Sequence, residues 1–316
     1  MKNHKLLINV SWYMLKVLVS RKIDAQHLQR IRSSMPEIEV QNCTGSAALS
    51  AIDDAEILLA GEFTKEMFAS ARELKWIQAI SAGVDRFLFP EFVASEVILT
   101  NTKGVYSSPC SDHVLAVVLS FARSFNRFAR LQTAHKWQKF QMDELQGKTI
   151  GIIGLGNIGR EIERKAKCFG MKVLAISRKT NNPSQLVPLL EQSDFVVLSL
   201  PLTQETRGLI GQENISRMKK TAFLINIGRG QLIKEKELVT ALREGKIAGA
   251  ALDVFEQEPL PSDSELWDME NVIITPHIAG DSKQEMARIL DIFCENLNRY
   301  VSKIPLINVV DKQVGY

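Results

Sequence analysis

The stretch Lys148-Thr149-Ile150-Gly151-Ile152-Ile153-Gly154-Leu155-Gly156-Asn157-Ile158-Gly159 decides how this chain is read. Thr149 to Ile153 is a short apolar run rich in β-branched residues, the composition of a buried strand. It runs directly into Gly154, Gly156 and Gly159, spaced as GxGxxG. Each glycine has its own physical role. Gly154 permits the sharp turn, Gly156 lets a pyrophosphate approach the backbone, and Gly159 lets the following helix pack on its strand. The helical spacing of Ile158, Ile162, Ala166 and Phe169 supplies that helix. Its free N–H groups and positive dipole end favour an anion. The motif in this context predicts dinucleotide binding.

Apolar runs and helical patterns alternate on both sides of this turn. Before it, Lys5 to Val10, Ala55 to Ala60, Trp76 to Ile80 and Val97 to Thr100 read as strands, with Ala25 to Ser33 and Thr64 to Ala71 as helices. The register of Ser11 to Ser20 is not set by the pattern. After it, Lys148 to Ile153, Lys172 to Ile176, Phe195 to Leu200, Ala222 to Ile227, Gly249 to Leu252 and Val272 to Ile274 read as six strands. Alternation of this kind predicts α/β architecture with parallel sheets covered on both faces. Between the two sets, Ser108 to Leu131 shows one long apolar stripe, read as a core or interdomain helix. Lys283 to Tyr300 reads as a second long amphipathic helix, and residues 303–316 show no strong pattern.

Bulk composition limits the function. The chain has 316 residues, enough for two domains, and is 45% hydrophobic and 24% charged, as in ordinary globular proteins. Its net charge of +3 arises from 39 basic and 36 acidic residues without a basic block. Nothing here suggests nucleic-acid or membrane binding by bulk electrostatics. Cys43, Cys110, Cys168 and Cys294 form neither a CxxC pair nor a metal cluster, so they read as free thiols in a reducing compartment, with no metal expected. Leu6 to Val19 is too short and too interrupted for a membrane span, and reads as a buried strand rather than a signal peptide. A cytoplasmic location is expected.

The second strand after the glycine turn ends in Ser177-Arg178-Lys179. An NAD site usually has Asp or Glu at this point, about 20 residues on, to bind the ribose hydroxyls. A serine followed by two cations suits a 2′-phosphate instead. NADP(H) is therefore the preferred cofactor, with NAD(H) as the alternative.

Three further stretches stand at the C-terminal ends of expected strands, where open α/β sheets build their sites. They are Ile225-Asn226-Ile227-Gly228-Arg229-Gly230, Asp253-Val254-Phe255-Glu256-Gln257-Glu258-Pro259, and Thr275-Pro276-His277-Ile278-Ala279-Gly280. Singly, Arg229 could be a surface cation, Glu258 a solvated side chain and His277 a capping or core residue. Together they supply what interconversion of a hydroxy acid and a keto acid needs: a cation for the carboxylate, a histidine to move the hydroxyl proton, and a carboxylate to orient it and favour its charged form.

With these motifs, the sequence closely resembles the D-isomer specific 2-hydroxyacid dehydrogenase family, including glyoxylate/hydroxypyruvate reductase-like members. The match spans nearly the whole chain: Ser81-Ala82-Gly83-Val84-Asp85, Asn101 to His113, the GLGNIG turn, Leu200-Pro201-Leu202-Thr203, INIGRG, DVFEQEP and TPHIAG. The resemblance implies two Rossmann-like doubly wound domains. Residues 1–102 and 280–316 would form a flavodoxin-like substrate domain, and residues 103–279 an inserted dinucleotide-binding domain. Arg229, Glu258 and His277 would be catalytic. Ala82, Gly83 and Val84, with Arg229 and His277, would bind substrate. Gly154, Gly156, Asn157, Ile158, Gly159, Ser177, Arg178, Lys179, Pro201, Thr206, Ile227, Gly228 and Asp253 would bind the cofactor, Asp253 through the nicotinamide carboxamide. Trp137 resembles the position that reaches into a partner subunit, implying a homodimer.

The resemblance also narrows the substrate to a small 2-keto or 2-hydroxy acid. Formate-using relatives have Gln where Glu258 stands. A phosphoglycerate substrate would call for cations in the loop Leu59-Ala60-Gly61-Glu62-Phe63, which has none. Glyoxylate or hydroxypyruvate fits better, while a D-3-phosphoglycerate dehydrogenase-like enzyme and a dinucleotide-sensing corepressor on the same scaffold remain alternatives. The chain departs from the family pattern at Lys103, where proline is frequent; at Asp112, where Glu is commoner; and at Lys234, where an acid is frequent.

Overall fold

A computed structural model describes residues 14–177 and 183–315. These fall into two compact units, one built from the chain up to Thr102 together with Met286 onward, the other being Lys103–Glu285. The strand expected at Lys5 to Val10 lies outside the described residues.

In the first unit, strands β1 (Leu15–Val19), β2 (Ile38–Asn42), β3 (Ile57–Ala60), β4 (Trp76–Ala79) and β5 (Ile98–Thr100) form a parallel sheet of order β2-β1-β3-β4-β5. This is the flavodoxin-like order. Helices α1 (Ala25–Ser34), α2 (Gly45–Ala51), α3 (Lys65–Ser70) and α4 (Pro90–Val93) connect them. β3 and β4 are buried along their whole length; β3 reads as an unbroken apolar run, and β4 carries one polar side chain, Gln78. At the sheet edge, β2 alternates Ile38 and Val40 inward with Glu39 and Gln41 outward, so no such run marks it. The last helix, α11 (Glu285–Val301), is tied to this sheet by a buried polar chain. The Trp76 Nε1–H donates to Thr100 Oγ1 at 2.8 Å, the Thr100 hydroxyl to Gln78 Oε1 at 2.8 Å, and the Asn296 amide to the same oxygen at 3.1 Å.

The patternless tail is ordered by tertiary pairing. Val309 bridges Thr100 antiparallel, the Asn101 N–H donates to Asn308 O at 3.1 Å, and the Val310 N–H donates to Leu99 O at 2.8 Å. The Lys312 ammonium then donates to the carbonyls of Phe92, Ser95 and Val97 at 3.2, 2.6 and 3.0 Å.

In the second unit, the expected helix from Ser108 to Leu131 is two helices, α5 (Ser107–Ala122) and α6 (Phe125–Thr133). Ser124 adopts a left-handed backbone, φ 55°, which ends α5 and turns the chain. Val114, Val117, Val118 and Phe121 are core residues, but α6 buries none of its side chains. Phe128 instead stacks on Phe140, with the Arg127 guanidinium over the Phe140 ring.

Strands β6 (Thr149–Ile153), β7 (Lys172–Ile176), β8 (Phe195–Leu198), β9 (Phe223–Asn226), β10 (Gly249–Leu252) and β11 (Val272–Ile274) form a parallel sheet of order β11-β10-β9-β8-β6-β7. Between them lie α7 (Asn157–Cys168), α8 (Pro183–Gln192), α9 (Gln212–Ser216) and α10 (Glu235–Arg243). Side chains alternate between the faces as the pleat requires. Ile150, Ile152, Phe195, Val197, Ile225 and Ala251 join the apolar layer containing α5 and α7 residues, while Val196, Leu198, Leu224, Ala250 and Leu252 join the opposite one. Chain order reverses between β6 and β8, which makes the gap between their C-terminal ends the switch point where such sheets bind ligands.

Asp194 ties the N-terminal ends of these strands together. Its carboxylate accepts from the Thr149 N–H and the Lys219 ammonium, each at 2.8 Å. Burial opposes the Asp194 charge, but Lys219 and the Thr149 N–H outweigh it and hold the carboxyl below the ordinary 3.8. A lowered folded-state pKa contributes stability above the unfolded value that is lost as pH falls through the folded one. Asp194→Asn is thus expected to unfold at lower urea than the parent at pH 7, the gap closing below about pH 3.8.

Candidate active site

The glycine turn sits at the switch point. Gly154 has φ +110°, and a Cβ there would stand 2.6 Å from Ser199 O, just beyond β8. The Ser199 hydroxyl donates to Gly154 O at 2.8 Å, locking the two strand ends together. A Cβ on Gly159 would stand 2.2 Å from Gly154 O. Gly156 differs: it caps α7 without a side-chain hydrogen bond, and a Cβ there would meet nothing within 4 Å. The first-turn N–H groups of Asn157, Ile158 and Gly159 have no intrahelical acceptor, and the backbone before them is open. These residues fit a pyrophosphate.

Other cofactor-binding candidates surround the same strand ends. Ser177 is half-buried after β7; Arg178 and Lys179 lie outside the described residues. Beyond β8, exposed Pro201 and half-buried Thr206 are joined in one loop, the Thr206 hydroxyl donating to Pro201 O at 2.8 Å. Ile227 is half-buried and Gly228 buried.

The turn after β9 is shaped by Asn226, which is fully buried. Its Oδ1 accepts from the Gly228 N–H at 3.0 Å and its amide donates to Arg229 O at 2.8 Å. A Cβ on Gly230 would overlap the Phe255 carbonyl, 1.8 Å from its carbon. The Arg229 turn therefore lies directly against the backbone of the segment bearing Glu258. The Gln231 amide adds a bond to Glu256 O at 3.0 Å.

Glu258 and His277 meet. His277 Nδ1 is 2.7 Å from Glu258 Oε2, and Glu258 Oε1 accepts from the Phe255 N–H at 3.0 Å. Donation through Nδ1 leaves Nε2 for other chemistry. The side chains are 50% and 36% exposed, and a pair so exposed adds at most about 1 kcal/mol to folding. Orientation, not stability, is what this pair supplies.

The His277 backbone is left-handed, φ 55°, at a cost of roughly 1–2 kcal/mol for a residue with a Cβ. Asp253, 2% exposed, offsets it. Its Oδ1 accepts from the Thr275 hydroxyl at 2.6 Å and the Ile278 N–H at 3.0 Å, its Oδ2 from the Ala279 N–H at 2.9 Å, and its carbonyl from the His277 N–H at 2.8 Å. Each bond to a charged group contributes roughly 1.5–3 kcal/mol, so together they outweigh the strain. The resemblance implies that this carboxylate contacts a nicotinamide carboxamide; within the protein its oxygens accept from the 275–279 loop. These contacts, with the Tyr106 ring against Gly280 and the Tyr106 hydroxyl bonded to Glu285 at 3.0 Å, keep residues 280–285 in the second unit. The chain crosses to the first unit after Glu285 rather than at 280.

In the first unit, the loop after β4 is held by its own polar groups. The Ser81 hydroxyl donates to Gly83 O at 2.7 Å and the Asn101 amide to Ala82 O at 2.9 Å. Val84 is buried. The loop after β3 has no cation of its own, but a Cβ on Gly61 would stand 2.5 Å from the Arg21 Cβ. The backbone and Cβ of Arg21, in the loop after β1, thus stand against the β3 loop.

Among the departures, Lys103 is exposed, Asp112 pairs with Lys165 at 2.6 Å, and Lys234 precedes α10 and pairs with Glu237 at 3.4 Å. All four cysteines are free. Burial first, then the charges of Asp253 and Asp281, push the Cys110 thiol to about 12. Among the described residues, no group of three or more His, Cys, Asp or Glu is placed to hold a metal, and no helix is long and apolar enough to cross a membrane. Sequence reasoning missed Asn226, Ser199, Thr275 and His113 as shapers of the site; all lie within or beside quoted motifs, but only their tertiary bonds reveal what they do.

A helix N-terminus open to a pyrophosphate, in the same doubly wound unit as an oriented histidine, is the equipment of a nicotinamide-dependent oxidoreductase. A model of the D-isomer specific 2-hydroxyacid dehydrogenase NAD binding domain matches residues 115–279, and the chain belongs to that family. A glyoxylate reductase from Korarchaeum cryptofilum is 37% identical over 81% of this chain and 82% of its own. A D-isomer specific 2-hydroxyacid dehydrogenase family protein from Aeromonas salmonicida superposes with TM-score 0.87 at 34% identity, covering 95% and 99% of the two chains. The NADPH-dependent glyoxylate/hydroxypyruvate reductase of Sinorhizobium meliloti, crystallised with NADP and sulfate, gives 0.84 at 28% identity over 96% and 100%.

Gly230→Ala tests the close approach that sets the Arg229 turn. Overpacking against fixed backbone is expected to cost on the order of 3 kcal/mol, read as a lower urea midpoint with unchanged slope. A midpoint like the parent's would mean that the two segments separate freely.

Proposed function

We propose that the chain reduces a small 2-keto acid, of the glyoxylate or hydroxypyruvate kind, to the D-2-hydroxy acid, with NADPH preferred over NADH. The observation behind this reading is the Glu258–His277 pair at 2.7 Å. The glyoxylate reductase relatives support the substrate class. Support for NADPH comes from Ser177, in place of an acid after β7, and from the NADP complex of the Sinorhizobium enzyme.

When bound, the reduced dinucleotide supplies a hydride to the substrate C2. His277, as imidazolium, gives its Nε2 proton to the carbonyl oxygen, while Glu258 at Nδ1 stabilises the charge and fixes the ring. Arg229 holds the substrate carboxylate and polarises the carbonyl. Backbone N–H groups of Ala82, Gly83 and Val84 contribute to carboxylate binding. The cofactor is held by Gly154, Gly156, Asn157, Ile158, Gly159, Pro201, Thr206, Ile227 and Gly228, with Ser177, Arg178 and Lys179 at the ribose. The dinucleotide-binding domain is the second unit and the substrate domain the first. Trp137, 94% exposed, suits burial in a second copy.

One observation favours a second reading. Arg21 stands with its Cβ against Gly61 of the β3 loop, and a guanidinium carried from there would suit a phosphorylated hydroxy acid. Oxidation of reduced cofactor, followed by its absorbance, distinguishes them. Glyoxylate and hydroxypyruvate are expected to turn over with higher kcat/KM than 3-phosphohydroxypyruvate, and NADPH to outperform NADH. His277→Gln is expected to lower kcat by about 10²–10⁴-fold with the fold intact. Near-parental turnover in that variant would remove His277 from the mechanism.

A further inference from the structure

Beside the histidine–glutamate pair, the ends of β10 and β11 hold polar side chains that the reaction above leaves unused. His113, half-buried on α5, has Nε2 at 3.3 Å from Thr275 Oγ1. The Thr275 hydroxyl has one proton, which it gives to Asp253 Oδ1 at 2.6 Å. Towards the imidazole the Thr275 oxygen can therefore only accept, so a hydrogen sits on His113 Nε2. Burial lowers the His113 pKa, against the opposing pull of Asp253, which keeps the ring neutral near pH 7.

The geometry assigns His113 and Thr275 as positioning residues for His277. This rests on the reading of His277 as the proton donor. The bonds run in one direction: His113 to Thr275, Thr275 to Asp253, and Asp253 to the backbone of Ile278 and Ala279 immediately after His277. His277 is flanked by these anchors and held in a left-handed backbone, so the direction of its imidazole depends on Asp253 remaining in place. The Thr275 hydroxyl is the shortest of the bonds to that carboxylate. Without it, Asp253 Oδ1 keeps only the Ile278 N–H and the His113 Nε2–H loses its acceptor. The loop is then free to relax towards ordinary backbone angles, turning the imidazole away from Glu258.

Thr275→Val removes the hydroxyl at constant shape and Thr275→Ser restores it; His113→Leu removes the donor and His113→Gln offers an amide in its place. The valine and leucine variants are expected to lose about tenfold to hundredfold in kcat. Their NADPH dissociation constants, from nucleotide fluorescence, should stay within about twofold, since the phosphate-binding turn is untouched. The serine and glutamine variants should recover most of the loss. Nitrogen-15 spectra of the imidazoles give a readout free of turnover: in the parent, His113 is neutral with its proton on Nε2, and Thr275→Val shifts the ring resonances of both His113 and His277. Parental kcat in Thr275→Val, a serine variant as impaired as the valine, a proton on His113 Nδ1, or unmoved His277 resonances would each overturn the assignment. If the parent reduces no keto acid, the proposed reaction fails by itself, and the spectra still decide whether His113 and Thr275 position His277.

Discussion

At three places in the second unit, backbone lies so close to backbone that no Cβ fits between. Gly154 touches the end of β8, Gly159 touches Gly154, and Gly230 touches the Phe255 carbonyl. In a close-packed interior, contacts of this kind fix position more tightly than side chains can, because backbone has no rotamers through which to yield. They set where the strand ends stand, and thereby where a pyrophosphate and the Arg229 turn can lie. Gly156, in the same motif, touches nothing. Its lack of a side chain serves a ligand rather than the fold.

A second layer of order is polar. Asn226 and Asp253 follow the same logic at neighbouring strand ends: a buried side chain takes up the backbone groups that a sharp turn leaves without partners. Neither turn could be buried without this compensation. Arg229 and His277 stand on turns that their own sequences would not hold, while the side chains beneath contribute rigidity and leave the reactive groups exposed.

Much of this was legible in the sequence, for a physical reason. Central parallel strands are buried on both faces, so β3, β8 and β10 announce themselves as continuous apolar runs, and the GxGxxG turn orders the rest. β2 escaped because an edge strand needs only one apolar face. The break between α5 and α6 escaped because Ser124, with neither glycine nor proline to mark it, takes the left-handed conformation. Arg229, Glu258 and His277 stand out in the sequence as polar residues at expected strand ends, and the structure joins two of them directly. The engagement of Asp253 and the approach of Arg21 to Gly61 were hidden, since each depends on a neighbour distant in sequence.

The tail of the first unit has a consequence for how the molecule keeps to itself. β5 is the last strand of its sheet, and a bare rim there would offer a row of unsatisfied N–H and carbonyl groups to any extended chain in the cell. Residues 308–310 occupy that rim from within the same molecule, and the Lys312 ammonium, seated among three carbonyls, fastens them down. Loosening that fastening would leave the folded sheet intact yet convert its edge into a template for aggregation.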